Sequence, residues 1–286
     1  MRFLATGVFL LALFSTCAAK DEAQVNDLVK KHLDSIGTEQ ARTGTKNRVA
    51  EGTLQFRVLN SGGTQDGKQV LVSESNKLTS LLKLPNPSYH GERFVSDGRN
   101  VSIATITPGS YSSFGAFIKA HPEVLTEGLW GGTLSTGWAL ANVDDRHAKL
   151  QDTGLKKVDG KELHQLRYSP SKRSDLEILL YFEPDTGRHV MTSYALTISP
   201  QIGLSELENA KQQSTHYLLE ERFADFKQSD GLWLPGRWTM QFTADVPQDP
   251  NHPVLNRAQT TVSEFAVTVN SINHNVTLDP RNFEIK

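Results

Sequence analysis

Beyond an N-terminal helical segment, apolar and polar residues alternate along the chain. Leu54, Phe56 and Val58 fall on one face of an extended segment, whereas Gln55 and Arg57 fall on the other. This alternation is typical of a β-strand with one buried face. Similar short runs recur through most of the chain and predict a protein built mainly of strands.

Tight turns separate these runs. Each turn contains an Asp-Gly pair or a close variant between segments rich in β-forming residues, which is the pattern of an antiparallel hairpin. The turns are Asp66-Gly67, Asp97-Gly98, Asp159-Gly160, Asp185-Thr186-Gly187 and Asp230-Gly231. Their spacing predicts an antiparallel meander of about ten or eleven strands.

Two parts of the chain have helical periodicity instead. The first contains apolar residues from Val25 to Ile36 at helical spacing, and Gly37 follows as a natural stop. The second, residues 108–145, is rich in aromatic residues and interrupted by glycines, with Pro122 suited to the first turn of a helix. We expect this second segment to form a helical insert that lies against or inside the sheet.

The N-terminus has the features of a signal peptide. Arg2 precedes an apolar run that is too short to span a bilayer, and small residues follow up to Ala19. We expect cleavage after Ala19, with residues 20–286 forming a single domain in the periplasm and no transmembrane segment in the mature chain. The alternative is a lipoprotein anchored through Cys17.

Composition narrows the function classes. Cys17 is the only cysteine, so the mature chain must fold without a disulfide. Removing Arg2 leaves 29 basic residues (30 − 1) against 32 acidic ones, a net charge of −3. This near balance argues against a nucleic-acid partner.

Signatures of catalysis are missing from the sequence. There is no nucleophile elbow, no zinc-protease helix motif and no phosphate-binding glycine loop. Asp144, Asp145 and His147 form the tightest acidic group with a histidine, and a solvated turn explains them better than a metal site. We therefore expect no catalytic residues, no metal and no cofactor.

The aromatic insert is the best candidate for a binding function. Its side chains have two interpretations: an ordinary core under a helix, or the wall of an apolar pocket between the insert and a curved sheet. Each buried methylene contributes about 0.8 kcal/mol, so an acyl chain would bind there without a charged anchor.

Several motifs, in their order along the chain, resemble the LolA/LolB-like lipoprotein-carrier fold of Gram-negative bacteria. After the signal and the helix come the strand 49–59 and Lys83-Leu84-Pro85-Asn86 with Phe94-Val95-Ser96-Asp97-Gly98-Arg99. Late in the chain come Phe223-Ala224-Asp225-Phe226, then Asp230-Gly231-Leu232-Trp233-Leu234-Pro235, and a final strand from Val267 to Phe283.

The resemblance implies an α+β fold: an incomplete antiparallel β-barrel of about eleven strands, with helices covering its concave face. Relatives bind lipid moieties between sheet and helices. In LolA an arginine directly before the Pro-Asn latches the helical lid. This chain has Leu84 at that position, so we expect the lid to lack that latch.

Three functions follow as hypotheses. The first is a periplasmic carrier or binding protein for a lipid-like ligand, such as a lipoprotein acyl chain. The second is an envelope interaction or scaffold protein without a ligand cavity, and the third an unrecognised hydrolase. For the first, we expect a continuous apolar cavity or lid formed by Phe56, Leu84, Phe114, Phe117, Ile118, Leu125, Leu129, Trp130, Leu134 and Trp138.

Overall fold

The computed structural model describes residues 11–59, 63–86, 89–199, 214–247 and 259–285. Its α-helices are α1 (Leu11–Ile36), α2 (Glu39–Gly44), α3 (Ser113–Ala120), α4 (Glu123–Thr126) and α5 (Val143–Arg146). Three 3-10 helices span Gly132–Leu134, Ala139–Asn142 and Pro280–Phe283.

Strands dominate the fold. They are β1 (Asn47–Val58), β2 (Thr64–Glu74), β3 (Lys77–Lys83), β4 (Gly91–Ser96), β5 (Val101–Thr105), β6 (Lys149–Val158), β7 (Lys161–Ser169), β8 (Glu177–Phe182), β9 (His189–Ile198), β10 (Thr215–Ala224), β11 (Lys227–Ser229), β12 (Leu232–Leu234), β13 (Arg237–Val246) and β14 (Gln259–His274). Twelve of them form one antiparallel sheet in the order β5-β4-β3-β2-β1-β14-β13-β10-β9-β8-β7-β6. The other two, β11 and β12, pair as a short ribbon.

The sheet confirms the predicted architecture, an incomplete antiparallel barrel with helices on its concave face. It has one strand more than the approximate count that the resemblance implied. The sheet is not closed, because β5 and β6 are its two edges and do not pair with each other. One expected element is wrong: β14 ends at His274, and Pro280–Phe283 form a 3-10 helix instead of continuing the last strand.

Alternation explains how each strand buries one face. In β13, Trp238, Met240 and Phe242 are buried, whereas Thr239 and Gln241 between them are partly exposed. Similar inward-facing residues of the other strands join one large apolar core. The main core therefore lies on one face of the sheet, the face that also contacts the insert residues Phe114 and Trp130.

The insert, residues 106–148, connects the two edge strands. It leaves β5 at one edge and enters β6 at the other, so its backbone must cross the open side of the sheet. α3, α4, α5 and two 3-10 helices belong to this crossing. The predicted helical insert is thus confirmed, and the topology of the sheet places it over the concave face.

Helix α1 ends at Ile36, as the sequence predicted, and packs Val25 and Leu28 into the core. Helix α1 spans Leu11–Ile36, so residues 11–19 of the predicted signal peptide belong to it. Residues 1–10 of that prediction lie outside the described residues. Within the described part of the chain, no helix is both long and apolar enough to cross a bilayer.

Candidate functional site

A buried carboxylate anchors the beginning of the insert. Glu92 of β4 is completely buried and accepts hydrogen bonds from the Ser112 amide and from the Ser112 hydroxyl, both at 2.8 Å. The Tyr89 hydroxyl donates a third at 2.9 Å. The Ser112 hydroxyl in turn accepts from the Gly115 amide and caps α3. Burial and the adjacent Glu92 raise the pKa of Tyr89, so this phenol stays protonated.

Phe114 of α3 is the centre of an aromatic cluster between the insert and the sheet. Its ring centroid lies 5.6 Å from that of Phe94, 5.6 Å from Phe242 and 5.1 Å from Phe265. These three partners come from strands β4, β13 and β14. Within the insert, Trp130 stacks on Phe114 at 5.8 Å. These spacings are those of favourable aromatic pairs, so the insert and the sheet share one packed interface.

The same aromatic cluster extends in two directions from Phe114. Phe117 packs against Phe242 at 5.2 Å and against Tyr217 of β10 at 6.0 Å. On the other side, the Trp130 ring meets Trp238 edge-on at 5.5 Å. The Trp130 indole Nε1 is buried and has no hydrogen-bond partner among the described residues. An unpaired buried donor of this kind costs about 1–3 kcal/mol.

Glu221 fastens the turn of the insert to β10. This residue is completely buried, and its Oε1 accepts from the Gly131 amide at 2.8 Å and from Trp238 Nε1 at 2.9 Å. Its Oε2 accepts from the Tyr194 hydroxyl at 2.7 Å. Burial raises the pKa of Glu221 to about 7, although the three donors oppose that shift. Burial and Glu221 also raise the pKa of Tyr194, which keeps the phenol protonated as a donor.

Trp138 packs against two buried histidines, His32 and His189, in another part of the same core. Its indole Nε1 donates to His32 Nε2 at 2.8 Å, and its ring packs on His189 at 4.6 Å between centroids. His189 Nε2 lies 2.9 Å from the Thr192 hydroxyl, and its Nδ1 has no partner within the described structure. Burial, aided by His32, lowers the pKa of His189 and keeps the ring neutral.

All ten side chains predicted to line a pocket lie in or against the core. Nine of them are at most 5 % exposed, and Phe56 is partly buried against Phe265 at 4.8 Å. The structure brings Phe114, Phe117 and Trp130 into one cluster, whereas Trp138 packs on His189 and borders a small cavity beside α2 and β1. The other nine residues pack on each other and on the sheet and line none of the described cavities. Their role in ligand binding stays a prediction.

Sequence reasoning missed the sheet side of this interface. Phe94, Phe242 and Phe265 each stand at inward positions of their strands, so the alternation could have identified them. Glu221 and His32 had no such signal. Glu221 sits on the buried face of β10, where the pattern predicts an apolar residue.

The described residues contain no group of three or more His, Cys, Asp and Glu side chains that could hold a metal ion. Asp144 and Asp145 lie in the short helix α5, and His147 ends it with a left-handed backbone conformation. The chemistry available at the aromatic cluster is therefore apolar contact with a few isolated hydrogen-bonding groups.

No family model matches the chain, and no curated protein matches its sequence. Comparison with solved structures finds a DUF1329 family protein from Desulfovibrio piger, with a TM-score of 0.49 at 13 % identity over 91 % of this chain and 97 % of the other. A LolA superfamily protein from Nitrosomonas europaea follows, with a TM-score of 0.46, 13 % identity and coverage of 91 % and 96 %. A third, described as an outer membrane lipoprotein-sorting protein domain, is from Vibrio parahaemolyticus, with a TM-score of 0.42, 14 % identity and coverage of 89 % and 97 %.

Proposed function

We propose that the protein binds a lipid-like hydrophobic ligand in the bacterial envelope, between the concave face of the sheet and the insert. The observation that carries this proposal is the aromatic cluster around Phe114. The insert crosses the open side of the sheet and covers the concave face through apolar contacts. An acyl chain offers the sheet the same kind of contact and could replace the insert residues there.

Two hydrogen bonds tie residues 131–133 of the insert to the sheet. Glu221 holds the Gly131 amide, and Arg48 of β1 donates to the Thr133 carbonyl oxygen. Between them, Gly131 and Gly132 have φ angles of 73° and 51°, which glycine adopts without strain. Movement of residues 131–133 would break these two contacts, and movement of the rest of the insert would also break those of Thr136 with Ser73 and of Glu127 with Tyr168. The apolar contacts could pass to the ligand.

The unpaired Trp130 Nε1 supports the same site. This buried donor lies inside the aromatic cluster, and the protein offers it no acceptor within the described residues. An ester or amide carbonyl oxygen near the head of an acyl chain would satisfy it. A buried donor that gains an acceptor recovers part of its desolvation cost.

Tryptophan quenching by a fatty acid that is brominated midway along its chain would test the proposal. Bromine quenches only nearby indoles, so we expect saturable quenching that Trp130→Phe reduces and that the double variant Trp130→Phe/Trp238→Phe largely removes, because the two rings lie 5.5 Å apart. Trp233→Phe is the matched control, because Trp233 lies on the ribbon and is 39 % exposed. Absence of saturable quenching, or quenching lost only in Trp233→Phe, would contradict binding under the insert.

An envelope interaction or scaffold role is the second candidate, and one observation favours it. The side chains under the insert fill the space between insert and sheet, with Phe114, Trp130 and Leu129 at most 2 % exposed. A protein that never opens would keep this core and use its outer surface. Native mass spectrometry of the protein purified from a periplasmic extract separates the two candidates: bound lipid supports the carrier, and a lipid-free complex with an envelope protein supports the scaffold.

A further inference from the structure

A cavity of mixed polar and apolar lining lies where α2, β1 and the insert meet. It has a volume of about 60 Å³, enough to hold ordered water. Arginine and hydroxyl side chains line one part of it, and apolar side chains line the rest. The lining includes Ile36, Arg42, Arg48, Thr133, Ser135 and Leu232.

Arg48 brings a buried positive charge to this cavity. The residue is 4 % exposed; its Nε donates to His274 Nε2 at 2.9 Å and its Nη1 to the Thr133 carbonyl oxygen at 2.6 Å. No carboxylate of the described residues lies within ion-pair distance, and the other three N–H groups have no hydrogen-bond partner in the described structure. Burial lowers the pKa of Arg48 to about 10, as expected for a cation without a counter-ion.

The nearest carboxylate in this hydrogen-bond chain is already engaged elsewhere. Asp230 lies 2.8 Å from Nδ1 of His274, and its side chain is mostly exposed. The imidazole of His274 therefore accepts a hydrogen bond from Arg48 and donates one to Asp230, and it adds no negative charge to the cavity. A buried guanidinium in this position costs free energy unless an anion or water compensates it.

Arg42 supplies a second guanidinium to the same cavity. Its Nη1 donates to the carbonyl oxygens of Leu33 and Gly37, both at 2.6 Å, which fixes the side chain across the end of α1. Its only ion pair among the described residues is a distant contact of 4.0 Å with the exposed Asp34. The charge of Arg42 is thus weakly neutralised, and its position is held by the backbone.

Two hydroxyls complete the polar side. The Thr133 hydroxyl makes no hydrogen bond with any described residue, and the Ser135 hydroxyl accepts from the Gly137 amide while its own proton has no acceptor there. Two guanidinium groups and two free hydroxyl donors thus line one cavity, and no acidic side chain lines it. This combination favours an oxyanion over a cation or a neutral ligand.

We infer that this cavity binds a small oxyanion, a carboxylate or a phosphate group, between Arg42 and Arg48 with Thr133 as an additional donor. The inference goes beyond the proposed lipid ligand and does not depend on it. A bound oxyanion would join α2 to β1 and to the insert, because its three ligands come from these three elements. It would therefore stabilise the closed position of the insert.

Isothermal titration and thermal unfolding of the full chain with phosphate or acetate, at constant ionic strength set by chloride, test this site. We expect saturable binding and a rise in melting temperature for at least one of the two anions. Octanoate identifies the source: tighter binding than acetate indicates that the oxyanion is the end of a larger ligand, and equal binding indicates a free small anion.

Variants decide whether the effect belongs to this cavity. We expect Arg42→Gln to weaken binding about tenfold and Thr133→Val several-fold, as loss of a charged and a neutral hydrogen-bonding partner predicts. Arg57→Gln is the matched control, since Arg57 lies at the surface in an ion pair with Glu264. Arg48→Met should abolish binding, and the two milder variants keep the test valid if that protein fails to fold. Absence of saturable binding, or equal binding by Arg42→Gln, Thr133→Val and the unaltered protein, would overturn the inference and leave water as the occupant.

Discussion

Trp138 of the insert donates the hydrogen bond of its indole to Nε2 of His32 in α1 at 2.8 Å. The other ring nitrogen of His32, Nδ1, lies 3.0 Å from the carbonyl oxygen of Gly187, between β8 and β9. An indole only donates and a carbonyl only accepts, so His32 must be the neutral tautomer with its proton on Nδ1. One imidazole thereby links α1, the insert and the far half of the sheet.

This link predicts a loss of stability in acid. Burial lowers the pKa of His32 to about 4, with the Gly187 carbonyl opposing the shift and Arg42 adding to it. The unfolded chain protonates the same ring near pH 6.5. The stabilising effect is therefore complete above pH 6.5 and is lost as the pH falls towards 4, by about 1.4 kcal/mol per pH unit.

Urea unfolding of the protein and of His32→Gln at several pH values between 4 and 7.5 measures this effect. Glutamine can accept from Trp138 and does not titrate, so the free energy of unfolding of the variant should fall less steeply in acid. A residual slope is expected from His189, whose pKa is also lowered by burial. Parallel curves for the two proteins would show that His32 is protonated equally in both states.

Glu221 predicts the opposite pH dependence. Its pKa is raised to about 7 in the folded protein, mainly by burial, so the folded state favours the protonated acid. The contribution of Glu221 is complete below pH 4.5, the ordinary value, and disappears as the pH rises through 7. Relative to Glu221→Gln, the protein should lose about 1.4 kcal/mol per pH unit across that interval.

The measurement is the difference in unfolding free energy between the protein and Glu221→Gln at pH 5, 6, 7 and 8. Glutamine can accept from Gly131 and Trp238 and donate to Tyr194, so it preserves the ties of the insert. A difference that stays constant with pH would mean that Glu221 is ionised throughout. A lower protection factor of the Gly131 amide at high pH, relative to its base-catalysed intrinsic exchange rate, would connect the titration to the insert.

Gly115 is expected to tolerate no side chain. A Cβ atom at this position would collide with the carboxylate of Glu92, which already holds the Ser112 amide and hydroxyl. We predict that Gly115→Ala lowers the unfolding free energy by on the order of 2 kcal/mol, through overpacking and broken hydrogen bonds. Gly44→Ala is the control, because Gly44 ends α2 and a Cβ atom there would meet no neighbouring atom within 4 Å. Equal denaturation midpoints for the two variants would contradict this account.

Leu84 provides a test of the missing latch. Its side chain is 1 % exposed within the core, and its amide donates to the His90 carbonyl oxygen. We predict that Leu84→Arg buries an unpaired charge and destabilises the protein by several kcal/mol, whereas Leu84→Met costs less than about 1.5 kcal/mol. Slower hydrogen exchange in the insert of Leu84→Arg would instead show that an arginine here can latch the lid.

Local pattern was enough to predict the general architecture. Alternation and Asp-Gly turns depend on neighbours within a few residues, so the antiparallel strands, the end of α1 at Ile36 and the helical insert could all be predicted. The aromatic residues of the insert could be identified as candidate binding residues for the same reason. Even the sheet partners Phe242 and Phe265 could have been predicted to face the core from the period of two.

The tertiary structure decided how those elements meet. β5 and β6 became the edges of the sheet only because β14 inserted beside β1, and this pairing joins residues more than two hundred positions apart. It also placed Glu221 under the Gly131 amide, Trp138 on His32, and both Arg48 and Arg42 in the lining of one cavity. The sequence by itself determined the strands, the insert and its apolar character. The burial, partners and charge state of each polar group required the fold, since they depend on contacts that no local pattern encodes.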